Sequence, residues 1–387
     1  MRRAMWCVAV AVLVAVAGVG ARDAAQGWAL AQRGYRLSLP RDHGAHPQHK
    51  IEWWYYTGNV EGAGGQRYGY QLTFFRVGVH PQPANPSRWA VRDLYMAHFA
   101  ITDVGGRRYR ASDRLNRAGV GWAGASSETL EVWNEDWSAR LSHDGSHVLR
   151  ARDGDMAIDL VLAPGKPFVA HGDAGYSQKG STEGNASHYY SLTRMPTRGT
   201  VTVNGRSVTV QGESWMDHEF GSSFLEAGQQ GWDWFSIHLD DRTDLMLFQI
   251  RGGGTGSAAG ASPASGSSSA GGAVGPSAHG TLVGPDGRAT TLAAGAFTLV
   301  PGRRWTSPTS GASYPVTWEV TVPSLDLRLD VRGVLDGQEL HTAASTNVTY
   351  WEGAIDVSGT RAGRRVGGRG YLEMTGYTGA PMSDVLR

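Results

Sequence analysis

Thiol chemistry is nearly absent from this 387-residue chain, whose one cysteine is Cys7. Cys7 lies in an apolar N-terminal run, so the rest of the chain has no disulfide framework, cysteine metal site or cysteine nucleophile. It also lacks the Leu-Ala-Gly run of a lipoprotein cysteine, so no lipid anchor is expected. Lysine is almost missing too, confined to Lys50, Lys166 and Lys179. With 36 basic and 35 acidic side chains the net charge is +1. No Lys/Arg cluster stands out, which argues against a nucleic-acid partner. There is no G-x-S-x-G elbow, P-loop or H-E-x-x-H motif, and no cofactor is expected. No periodic stretch predicts a helix of more than three turns.

The N-terminus reads as a signal peptide over residues 1–21. Arg2 and Arg3 form a basic n-region, an apolar stretch runs from Ala4 to Gly20, and small residues follow. The stretch is short for a bilayer span. The expectation is therefore a periplasmic or secreted protein with no stable membrane span after cleavage.

What is abundant is glycine, at 54 residues, and tryptophan, at 14. Aromatic and β-branched runs alternate with turn signals every 8–12 residues. Glu52–Val60 and Arg67–Val77 flank a Gly-rich turn and predict a hairpin. Thr200–Val203 and Arg206–Val210 flank Asn204-Gly205, the strongest type I′ signal in the chain. Many short strands with such turns predict an all-β sandwich or barrel.

The chain also repeats itself. Glu52-Trp53-Trp54-Tyr55-Tyr56 and then Tyr70–Arg76 open one half; Gly231-Trp232-Asp233-Trp234-Phe235 and then Leu245–Arg251 open the other. Two tandem antiparallel barrels explain this, over 34–221 and 222–377. Residues 252–280 are Gly, Ser, Ala and Pro with little else, and are expected to be a disordered insertion within a hairpin of the second barrel.

Three clusters could carry chemistry. His43, His46, His49 and Glu52 recur every third residue, but Gly44 and Pro47 oppose the helix that would gather them around a metal. His46 and Glu52 are read as polar groups buried beside the aromatic strand, and no metal site is expected. In Trp215-Met216-Asp217-His218-Glu219-Phe220, a strand would put Asp217 and Glu219 on one face and His218 on the other. A carboxyl pair on an apolar wall raises one pKa toward neutrality; a polar tie between the barrels is the alternative. Trp232 and Trp234 share a face, opposite Asp233, and could line an apolar cavity or stabilise a carbocation; core packing is the alternative, favoured for at least one of them.

These clusters carry a family resemblance. His46-Pro47 through Glu52-Trp53-Trp54-Tyr55-Tyr56-Thr57-Gly58-Asn59 resembles the opening signature of the AttH-like, or predicted secreted hydrolase, family. That family is grouped with carotenoid 1,2-hydratase (hydroxyneurosporene synthase). Ser214–Gly221, Tyr350–Gly353 and Gly370–Tyr377 resemble its central and closing blocks. The resemblance implies two lipocalin-like (calycin) barrels. At Asp217-His218, carotenoid hydratases continue with Asn-Trp-Gly, whereas this chain has Glu219-Phe220-Gly221.

Barrels of this kind leave a mouth or interior for one apolar ligand. Three function classes follow: an exported carrier of an apolar lipid or isoprenoid, with an ABC-type exporter as candidate partner; a hydratase or hydrolase acting on such a molecule; and a solid scaffold. For a hydratase, Asp217, His218 and Glu219 are the candidate catalytic residues, with Glu52 the reserve acid. Trp53, Trp54, Tyr55, Trp215, Trp232 and Trp234 are the candidate ligand contacts.

Overall fold

The computed structural model describes residues 27–83, 85, 87, 89–222, 225–226, 228–252, 278–379 and 382. The expected signal segment and nearly all of the 252–280 insertion lie outside the described residues. Within them, no helix is long and apolar enough to cross a membrane.

The architecture is all-β, in two sheets that divide the chain in sequence. The first is built from β1 (Ile51–Gly62), β2 (Arg67–Gly78), β3 (Asp93–Asp103), β4 (Arg108–Arg117), β5 (Ala123–Ala125) and β6 (Glu131–Asn134). It continues through β7 (Trp137–Leu141), β8 (His147–Asp153), β9 (Met156–Leu162), β10 (Val169–Ala170), β11 (Tyr176–Gln178), β12 (Ala186–Val203) and β13 (Arg206–Gly221). The second comprises β14 (Gln229–Leu239), β15 (Asp244–Gly252), β16 (Ala278–Val283), β17 (Ala289–Leu292) and β18 (Thr298–Pro301). A small hairpin, β19 (Arg304–Thr306) and β20 (Ser313–Pro315), stands apart. The second sheet then resumes with β21 (Thr317–Val322), β22 (Leu327–Gly333), β23 (Glu339–His341), β24 (Thr349–Arg361) and β25 (Arg364–Met374).

Strand order exposes the duplication. The first sheet runs β4-β3-β2-β1-β13-β12-β9-β8-β7-β6-β5, and the second runs β17-β16-β15-β14-β25-β24-β22-β21-β18. Each opens on an aromatic strand that pairs with its successor and with the last strand of its own half. Both sheets curl into lipocalin-like barrels, the first nearly closed and the second a half barrel. Side chains of β4 help close the first: Arg114 Nη1 and Asn116 Nδ2 donate to the carbonyl and side-chain oxygens of Asn134, at 3.1 and 2.7 Å. The 204–205 turn forms as read, with φ of 51° at Asn204 and 71° at Gly205, the left-handed region a type I′ hairpin requires.

Alternation along each strand separates two environments. On β1, Trp54 and Tyr56 point into the first barrel, where they pack with Tyr70, Phe74, Phe99 and Trp137. The second barrel has its own filling, including Phe235, Trp318, Tyr314 and Trp351. The alternate residues of β1, Trp53 and Tyr55, face outward and meet Trp215, Trp234, Phe248 and Tyr371 in a third cluster between the barrels. Gly69 permits this approach, since a Cβ there would come within 2.6 Å of Ala354 Cβ.

Candidate functional site

An apolar cavity of about 150 Å³ lies in that third cluster, bounded by both sheets. This corrects the expectation of a ligand space inside a barrel or at its mouth. Large side chains pack inside both barrels, whereas this cavity sits where two outer sheet faces fail to mesh. Trp53, Tyr55 and Phe75 from the first sheet and Trp232, Trp234 and Phe248 from the second form much of its wall.

Asp217 and Glu219 also line the cavity, together with Glu373, Lys179 and Tyr189. Strand alternation puts both carboxyls of β13 on this face, as their spacing suggested. Asp217 is enclosed by donors: Trp215 Nε1 donates to Oδ1 at 2.6 Å, Ser191 Oγ to the same oxygen, and the Tyr189 hydroxyl to Oδ2 at 2.7 Å. Burial nevertheless outweighs these bonds and pushes the Asp217 pKa up to about 7, with repulsion from Glu219 adding to it. Glu219 is ion-paired with Lys179 Nζ at 2.7 Å and accepts from Ser187 Oγ. Two contacts run onward from Asp217 to the second barrel. Trp234 Nε1 donates to the Tyr189 hydroxyl at 3.0 Å. Ser191 Oγ lies 2.6 Å from His171 Nε2, whose Nδ1 is 2.9 Å from Thr281 Oγ1. The polar tie between barrels and the carboxyl on an apolar wall are thus one arrangement.

Glu373 was not singled out from the sequence. Register reveals it: Trp53 stands opposite Glu219 across β1 and β13, and Trp234 stands opposite Glu373 across β14 and β25. The duplicated barrels therefore present one Trp–carboxyl pair each to the shared cavity. Trp232 Nε1 donates to Glu373 Oε2 at 3.0 Å. Burial pushes the Glu373 pKa up to about 7, and the charges of Asp217 and Glu219 push the same way. Deeper still, Glu352 accepts from the Tyr55 hydroxyl at 2.7 Å and is held well above the ordinary carboxyl range by burial. Aligning the two halves strand by strand would have found Glu373; matching aromatic motifs alone did not.

Other expected site residues lie elsewhere. Trp54 is 1% exposed inside the first barrel, where its Nε1 donates to the His43 carbonyl at 2.8 Å. Trp215 is a wall behind Asp217 rather than a lining residue. No turn brings His218 to the cavity side, because β13 runs unbroken through it; its Nε2 is 3.0 Å from Glu52 Oε1. Glu52 points into the same interior and is a fixed anion, not a reserve acid. Arg76 Nε donates to Glu52 Oε2 at 3.0 Å, and His46 Nδ1 lies 2.8 Å from Oε1. Burial opposes that ionisation, but the bonds to His218 and His46 and the Arg76 charge hold the Glu52 pKa well below normal. As the sequence suggested, His46 and Glu52 are buried beside the aromatic strand.

His46, Glu52 and His218 do offer ligand atoms within 4.8 Å of one another. The donor set fits a cation poorly. Arg76 already occupies Glu52, and His46 is held toward its charged form by Asp42 and Glu52 against the cost of burial. A metal ion would have to displace the Arg76 guanidinium from Glu52.

The arrangement can be placed among known proteins. The AttH-like family profile matches residues 30–377. The chain belongs to the AttH-like family. The crystal structure of an AttH from Nitrosomonas europaea is 32% identical, with a TM-score of 0.77 over 90% of this chain and 99% of that one. Kievitone hydratase from Nectria haematococca shares the fold at 15% identity, with a TM-score of 0.65 over 90% of this chain and 95% of that one. No curated protein matches the sequence.

Proposed function

We propose that this AttH-like protein binds an apolar, alkene-bearing molecule of the lipid or isoprenoid class between its barrels and adds water across a double bond. The observation that carries the reading is the pair Asp217 and Glu373, two carboxyls held near pKa 7 on a cavity wall made mostly of aromatic and aliphatic side chains. Protonating an unactivated alkene requires an acid that keeps its proton near neutral pH, and desolvation supplies one. The carboxyl proton passes to one alkene carbon and leaves a tertiary cation on the other. The faces of Trp53, Trp232 or Trp234 stabilise that cation by about 1–2 kcal/mol. Water attacks it, and the proton released from the resulting oxonium goes to the second carboxylate, so the pair is restored between them. The fold shared with a hydratase is in keeping with this chemistry.

A second reading, an exported carrier without chemistry, is favoured by the donors that saturate Asp217. Asp217→Asn and Glu373→Gln separate the two. Binding of acyclic isoprenoids is followed by tryptophan fluorescence, and hydration by incorporation of label from ¹⁸O-water. The hydratase reading expects retained binding with incorporation lowered by about 10²–10⁴-fold. Wild-type binding with no label across a broad panel would leave the carrier. An Asp217→Asn protein that only unfolds would make that carboxyl a structural tie.

A further inference from the structure

The cavity-facing side of the first sheet does not stop at the cavity. Cross-strand register aligns Trp53, Phe75, Met96 and Leu115 in one row over β1 to β4, and Ile51, Val77, Leu94 and Arg117 in the next. Trp53, Phe75 and Met96 line the cavity and are half-buried, whereas Leu115, at the sheet edge, is 41% exposed. The cavity wall thus reaches across β1 to β3, and the apolar strip continues one strand spacing further, about 5 Å, to Leu115 at the edge, the whole row measuring about 14 Å.

Arg117 stands at its outer end. Its Nε and Nη2 are buried and have no hydrogen-bond partner among the described residues. The Trp89 ring lies over the guanidinium, 5.0 Å from Cζ to ring centre, and is itself 64% exposed. Buried donors on a charged group are costly to leave unmet. A planar guanidinium fork matches a carboxylate in geometry and charge. At the inner end the ammonium of Lys179 is already paired with Glu219 at 2.7 Å, and Asp217 and Glu373 line the same wall, so an anionic group is disfavoured there and favoured at the edge.

We propose that Arg117 and Trp89 form a head-group site for the carboxylate of an elongated apolar ligand whose body follows the strip into the cavity. This rests on the reading of the cavity as an apolar-ligand site and adds the ligand's polarity and direction. The nearest competing carboxylate on β4, Asp113, lies four residues away and accepts from Ser345 Oγ at 2.7 Å.

Dodecanoate and dodecan-1-ol, alike in length and different in charge, test it by tryptophan fluorescence titration at pH 8. Wild type should bind dodecanoate about tenfold more tightly, as expected for a charge-assisted pair. Arg117→Gln should erase that preference while leaving the alcohol within about twofold of wild type. Arg117→Lys should keep part of it, and decides the matter if Arg117→Gln fails to fold. Equal wild-type affinity for acid and alcohol, or a preference that survives Arg117→Gln, overturns the head-group site and leaves the cavity reading intact. If wild type binds neither probe, the cavity reading fails and the head-group site with it.

Discussion

Acidification should unfold this protein well before its surface carboxylates are titrated. Burial lowers the pKa of His43, His98 and His279 to about 3, and of His49 and His188 to about 4. In the unfolded chain each takes a proton near pH 6.5, whereas the native protein cannot. Each therefore removes stability as pH falls from about 6.5 toward its folded value. Asp217 and Glu373 act in the opposite sense. Raised to about 7, they take up protons in the native state first, and this stabilises the fold as pH falls from about 7 toward 4. Counting these groups alone, five histidines against two carboxyls leave an excess of about three protons on the unfolded chain, or about 4 kcal/mol per pH unit between pH 6 and 5. From pH 7 to pH 5 the loss comes to about 5 kcal/mol, the lower end of an ordinary domain's stability. Urea unfolding followed by tryptophan fluorescence at pH 7, 6 and 5 measures it, and ¹⁵N shifts of His43 and His98 should stay those of neutral rings at pH 5. A change in unfolding free energy below about 1 kcal/mol from pH 7 to pH 5 would refute the reasoning.

The adjacent tryptophans of β1 should behave oppositely. Trp54→Ala should cost about 3–5 kcal/mol by emptying the first barrel's core; Trp53→Ala should weaken dodecan-1-ol binding severalfold with a small loss of stability. Thermal unfolding and fluorescence titration of both variants check the pair. Deleting residues 254–276 should shift Tm by less than about 5 °C, because loop closure depends weakly on length; a larger fall, seen by calorimetry, would mean that the segment packs. N-terminal sequencing of the exported protein should place the mature start between Ala21 and Gly27; intact Met1 in the membrane fraction would contradict export.

Much of the architecture was decided locally and could be read in one dimension. Period-2 aromatic runs and an Asn-Gly turn dictate antiparallel strands, because alternation and the left-handed turn need no distant partner. The same period placed Asp217 and Glu219 together and His218 opposite. It also put Trp232 and Trp234 on one face, with Asp233 behind them in the second barrel, bonded by Gln249 and Tyr377. What alternation cannot say is which face is core and which is cavity. Trp53 and Trp54 look interchangeable in sequence, yet one lines the cavity and the other fills a barrel, since only the packing of the two curved sheets decides which side retains free volume. Nor could the sequence distinguish Glu52 from Asp217, two carboxyls flanked by aromatics. Arg76, His46 and His218 gather around Glu52 and keep it charged, whereas Asp217 is desolvated against the second barrel with no cation bonded to it. Glu373 entered the site through its register with Trp234, 139 residues away in the chain, and Arg117 through four strands laid side by side. Charge state and cavity depend on groups brought together from distant segments, and that convergence belongs to the tertiary structure alone.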